Sequence, residues 1–147
     1  MPTDLLRKRN TLFRAAPQSP RSGPPRRVLI KAGRISVRAE LLATPTADRI
    51  WAALPLYATA ETWGRAIHFE IPVETGRDRT ARLLADIGDI FFWVEDDRVL
   101  IPFGTTPISR PGEIRLPRPC NVWAKAIDDV APLKVVAAGE KVSMTAT

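Results

Sequence analysis

The sequence predicts a mainly β fold: a closed β-barrel with two short helices covering its ends. Three observations carry this. Short stretches alternate apolar and polar residues at strand period, as in Ile35, Val37, Ala39 and Leu41 against Ser36, Arg38 and Glu40. Fourteen prolines and eight glycines break the chain into short pieces. Only two brief stretches read as helix. Six or more short strands favour closure, because a closed sheet leaves no edge open to other chains.

Taken in order, Val28–Lys31 and Ile35–Leu41 flank Ala32-Gly33 and read as a hairpin. Thr44-Pro45 opens a helix, with Thr44 as N-cap and Pro45 at the first helical position. Ala47, Ile50, Trp51 and Leu54 form its apolar stripe, and Pro55 stops it. Ile67, Phe69 and Ile71 alternate with Ala66, His68 and Glu70, which is a strand with His68 on the outer face. Residues 74–85 are polar, with at best a short helix over Thr80–Leu84.

Asp89–Val94 and Arg98–Phe103 are strands around an acidic turn, Glu95-Asp96-Asp97. Both are apolar on both faces, so something covers the outer one. Alternation sets Phe92 opposite Phe91 and Trp93. Pro102 removes a ladder donor, which predicts a bulge or an edge. Thr106–Leu116 reads as a long loop, and Cys120–Ile127 as a strand. Pro132–Ala138 reads as the second helix, closed by Gly139, and Lys141–Thr145 as the last strand.

Charge divides the chain. Of 22 basic and 16 acidic residues, the first 27 positions hold seven basic ones (Arg7, Lys8, Arg9, Arg14, Arg21, Arg26, Arg27) and one acid, Asp4. The remainder carries 15 of each, so the net +6 belongs to the tail. Residues 1–26 read as a disordered, basic, proline-rich tail, and 27–147 as one barrel domain. Arg-rich, acid-poor starts also resemble transit peptides, and a misassigned start codon would give the same appearance. No continuous apolar segment follows the charges as in a secretory signal, and no run reaches membrane-span length. A cytoplasmic location without a membrane span is expected. Nucleic acid is expected to bind, if at all, through the tail alone.

Four segments stand out together. They are Thr62-Trp63-Gly64-Arg65-Ala66-Ile67-His68-Phe69-Glu70-Ile71-Pro72, Ile87-Gly88-Asp89, Phe103-Gly104-Thr105-Thr106-Pro107-Ile108-Ser109 and Asn121-Val122. In this order they resemble the small bacterial and archaeal cyclophilin-like family, whose members are mostly uncharacterised. The resemblance covers about residues 34–146. It implies a cyclophilin-like β-barrel with a binding groove on its outer wall, without implying retained catalysis.

True cyclophilins isomerise prolyl peptide bonds. The barrier is amide resonance, about 18–20 kcal/mol. An apolar pocket and a cationic donor near the imide nitrogen favour the twisted amide. In cyclophilins an arginine donates, within a Phe-His-Arg segment that ends in Gln-Gly-Gly-Asp. Here Arg65 stands near that place, but the Phe-His pair and the Gln-Gly-Gly-Asp end are absent.

Two readings follow from the resemblance. The first is a module that binds a small molecule or an extended peptide in the outer groove, through Trp63, His68, Phe103, Thr106 and Asn121. The alternative is a peptidyl-prolyl cis–trans isomerase with Arg65 as donor. An aromatic outer face also suits a homodimer contact. Each residue has a plain structural role as well: Arg65 a solvated strand end, Phe103 core, Thr106 a turn former, Asn121 a pin for a loop. The lone His68 and lone Cys120 argue against a clustered zinc site, and Cys120 reads as a buried apolar residue. No P-loop, dinucleotide fingerprint or Ser-His-Asp set is present, so no cofactor is expected.

Overall fold

The computed structural model describes residues 24–147. The tail assigned to 1–26 therefore lies almost wholly outside the described residues. Strands β1 (Arg27–Ala32) and β2 (Ile35–Leu41) form the expected hairpin, paired from Arg27↔Glu40 to Ala32↔Ile35. Helix α1 (Pro45–Ala53) follows, and Thr44 caps it by accepting from the Ala47 amide at 3.1 Å. Ala47 and Ile50 are buried, and Trp51 packs at the core margin beneath the Arg26 guanidinium, 5.7 Å from the ring centroid. The Leu54–Pro55 peptide is cis.

Two strands come next that sequence reasoning did not anticipate, β3 (Leu56–Thr59) and β4 (Glu61–Thr62). They precede β5 (Ala66–Glu70), β6 (Arg82–Leu84), β7 (Asp89–Trp93), β8 (Arg98–Pro102), β9 (Arg115–Ala126) and β10 (Lys141–Ala146). The pairing order is β3-β10-β1-β2-β9-β7-β8-β5-β4, with β6 on β9 as a side branch.

Hydrogen bonding between its end strands does not close this sheet, so the mainly β fold is borne out and the expected barrel closure is not. Its end strands, β3 and β4, do not pair with each other. They are instead successive pieces of one segment, joined through buried Ala60. The Ala60 amide donates to Glu140 O at 2.8 Å and its carbonyl accepts from the Gly139 amide at 2.8 Å. The segment pairs with β10 before Ala60 and with β5 after it.

Three further expectations are corrected. The helix expected over 80–84 is replaced by a turn and strand β6 at 82–84: five residues are too few to hold an isolated helix, and β9 offers the last three a ladder. The second helix is a five-residue 3-10 helix, Ala131–Val135, without a side-chain cap, and Gly139 turns the chain into β10 instead of ending it. Strand β9 begins at Arg115, inside the expected loop. Pro117 and Pro119 are tolerated because they fall where the β6–β9 register shifts, between Leu84↔Arg115 and Arg82↔Cys120. Pro102 sits at the end of β8, and the ladder to β7 stops at Leu100.

Two apolar clusters lie on opposite faces of the sheet. The inner one holds Val28, Ile30, Val37, Ile67, Phe69, Ile90, Phe92, Val99, Ile101, Trp123 and Met144 with α1 residues. The outer one holds Ala66, Phe91, Leu100, Leu116, Cys120 and Val122. The start of β9 folds over the outer face, which explains why β7 and β8 are apolar on both sides. No described helix is long and apolar enough to cross a membrane.

Candidate functional site

Where the outer cluster ends, the outer face opens into a cleft of about 500 Å³, lined by Glu61, Trp63, His68, Trp93, Asp96, Arg98 and Pro117. Strand parity builds it. His68 is two residues from Ala66 on β5, Trp93 two from Phe91 on β7, and Arg98 two from Leu100 on β8. Each thus continues the face of the outer cluster. Cross-strand register aligns Glu70↔Arg98 and Trp93↔Arg98 in one row, and Glu61↔His68 beside it.

Arg98 is the centre of this group. Its Nη1 lies 3.3 Å from His68 Nδ1, its Nε donates to Asp96 at 3.1 Å, and its Nη2 stands 4.0 Å from Glu70. An arginine is always a donor, so His68 Nδ1 accepts and the neutral ring carries its proton on Nε2. Burial lowers the His68 pKa, and the Arg98 charge lowers it further; Glu61 and Asp96 oppose this with smaller effects. The imidazole is neutral at pH 7. It meets the Trp93 ring edge-on, with centroids 6.2 Å apart. Among the described residues, the Trp93 indole Nε1–H is the one buried side-chain polar atom without a hydrogen-bond partner. Leaving such a donor unpaired costs about 1–3 kcal/mol.

The backbone holds Trp63 in place. Gly64 has φ +58°, and a Cβ there would lie 2.6 Å from Pro107 Cδ, so only glycine lets the 105–107 loop approach. The Trp63 amide donates to Ala66 O at 3.0 Å.

A family model described as "Cyclophilin-like" matches residues 26–145. The chain belongs to the cyclophilin-like family. Among solved structures, it is similar to that of a hypothetical protein from Archaeoglobus fulgidus, at 30% identity and a TM-score of 0.72, over 84% of this chain and 95% of that one. It also resembles McbB, solved in complex with tryptophan, at 13% identity and a TM-score of 0.59, over 80% of this chain and 44% of that one. This second likeness is one of fold alone. No curated protein matches the sequence.

In this cyclophilin-like chain the cleft brings Trp63 and His68 together. The other four residues singled out from sequence stand elsewhere. Arg65 is exposed, and its side chain lies over Gly104, where a Cβ would come within 2.8 Å of it. Its amide donates to Thr105 O at 2.9 Å, and its carbonyl accepts from the Phe103 and Gly104 amides. Phe103 packs against the inner cluster. Thr106 is buried and donates to Arg115 O, fastening the loop to β9. Asn121 is fully buried. It donates to Thr46 Oγ1 at 2.9 Å and Gly76 O at 3.0 Å, and accepts from the Asp78 amide at 3.0 Å.

Sequence reasoning did not select Trp93, Arg98, Glu61, Asp96 or Pro117 for the site. The available signal was parity: Arg98 is a cation on the face opposite Val99 and Ile101 in an otherwise apolar strand. Cys120 is buried in the outer cluster, and burial, the largest cause, pushes its thiol up to about 12. It is no nucleophile at neutral pH. Among the described residues no three His, Cys, Asp or Glu side chains gather in a way that could hold a metal ion.

Proposed function

We propose that this protein binds a ligand in the outer-wall cleft, and that the ligand presents an apolar body and a hydrogen-bond acceptor. A small molecule and an extended peptide both meet that description. The observation that carries the reading is a cleft walled by Trp63, Trp93 and Pro117 that also holds the Nε2–H of a neutral His68. Aromatic walls with a few convergent polar groups are the usual make-up of a ligand site. A ligand carbonyl can accept from the His68 Nε2–H while its apolar body lies against the tryptophans.

Prolyl isomerisation is the second reading. It has support in the family and in the presence of an arginine within the cleft, Arg98. Arg98 already serves His68 and Asp96, while the Arg65 guanidinium has no such partner among the described residues but lies outside the lining. Two-dimensional NMR exchange on an Ala-Pro peptide tests both readings at once. Binding without accelerated cis–trans exchange, lost in Trp63→Ala and His68→Ala, is the expected result. Accelerated exchange that disappears in Arg65→Ala would establish an isomerase with that donor. Neither binding nor acceleration would remove peptides as the ligand.

A further inference from the structure

The cleft does not end at Arg98. A second hollow of about 380 Å³, lined by Thr59, Glu61, Glu70, Ile71, Pro72 and Arg98, shares Glu61 and Arg98 with it. The two make one groove across the outer face. Neighbouring strands stand about 4.8 Å apart, so the path from Glu61 on β4 across β5 and β8 to Trp93 on β7 runs about 14 Å. That is the length of about four residues of extended chain.

The halves differ in chemistry. One is walled by Trp63, Trp93 and Pro117. The other is acidic. Glu61, Glu70 and Asp96 bring three negative charges, Arg98 brings one positive charge, and His68 is neutral, so the groove carries a net charge of −2. Asp96 is matched by Arg98 at 3.1 Å, Glu70 only by the same Arg98 at 4.0 Å. The Glu61 carboxylate makes no hydrogen bond or ion pair among the described residues. This excess is local, because the chain from residue 28 onward is neutral.

From length, donors and charge together we infer that the groove selects an extended peptide segment in which a basic residue stands near an apolar or prolyl residue. The inference rests on the proposed role of the cleft as the ligand site and narrows it. A peptide carbonyl supplies an acceptor for His68 Nε2–H. Its apolar residue lies between the tryptophans, and its cationic side chain reaches Glu61 and Glu70. An anionic small molecule of the same bulk is repelled.

The test uses the full chain and three capped hexapeptides, acetyl-Ala-X-Ala-Pro-Phe-Ala-amide with arginine, glutamine or glutamate at X. Tryptophan fluorescence and the indole N–H NMR signals report binding. The arginine peptide should bind at least fivefold more tightly than the glutamine peptide, and the glutamate peptide most weakly. The preference should fall toward unity in the double variant Glu61→Gln, Glu70→Gln. Both side chains are exposed, so the variant keeps its fold, which circular dichroism checks. Equal binding of all three peptides, or a preference that survives in the variant, overturns this inference and leaves the cleft as a ligand site. Failure of all three to bind overturns the inference and the peptide form of the proposed function together.

Discussion

At the scale of single residues, His68 repays the closest look. Its ring is half-buried, accepts from Arg98 and packs against Trp93, and its pKa lies below the ordinary 6.5 because burial and the Arg98 charge disfavour the cation. The unfolded chain therefore takes up a proton more readily than the folded one. The stability linked to His68 is fully present above pH 6.5 and is lost as pH falls through the lower folded value. Protonation also removes the lone pair on Nδ1 that Arg98 uses. In urea titrations, wild-type stability should fall between pH 7 and pH 5 more steeply than that of His68→Gln. Equal slopes would separate the ring from this linkage. The side chain's outward direction was legible from β5 alternation alone. Its partner Arg98 was not, because the two are 30 positions apart and meet only through the β5–β8 register.

Among elements, the segment from Glu74 to Ala81 has the fewest local reasons to hold its course. It contains no helix, and Asn121 on β9 fixes it through Gly76 O and the Asp78 amide while also reaching Thr46 of α1. One buried amide thus joins a loop, a helix and a strand. Asn121→Ala leaves two acceptors and a donor unmatched and should cost about 3 kcal/mol, each loss being of the order of 1 kcal/mol or more. The loss should appear as a lowered urea midpoint, with the amides of 76–80 exchanging faster than those of β1 and β2. A uniform change across the molecule would count against the local pin. The sequence reading offered Asn121 both as loop pin and as ligand contact; its three partners, all within the protein, account for every position of its side chain used here. Strands β3 and β4 escaped that reading because four and two residues are too short to show a period.

On the scale of the whole molecule, charge and topology were unequally legible. The neutral body and basic tail follow from counting. Seven strand positions follow from alternation, apolar runs and turn signals, and the family from four short segments, because each motif depends on neighbours in sequence. The sheet's ends were not legible, since pairing of β3 with β10 and β4 with β5 is decided by contacts far apart along the chain. The tail supports one prediction. Binding of single-stranded DNA should weaken steeply with salt and vanish on removal of residues 1–23, because the rest of the chain has no comparable excess of positive charge. Mobility-shift titrations at two salt concentrations check this. Undiminished binding by the shortened chain would place a nucleic-acid surface on the folded body.

The first and last strands lie side by side. Val28 pairs with Ala146, and the Thr147 amide donates to Arg27 O at 3.0 Å. Both ends of the folded body thus leave from the same end of one antiparallel pair. Under mechanical tension applied through the two termini, β1 and β10 would part like a zip, one hydrogen bond after another, and the ladder could not share the load in shear. A fold held by two apolar layers would then yield to modest force, as when a protease or translocase motor draws on an end of the chain.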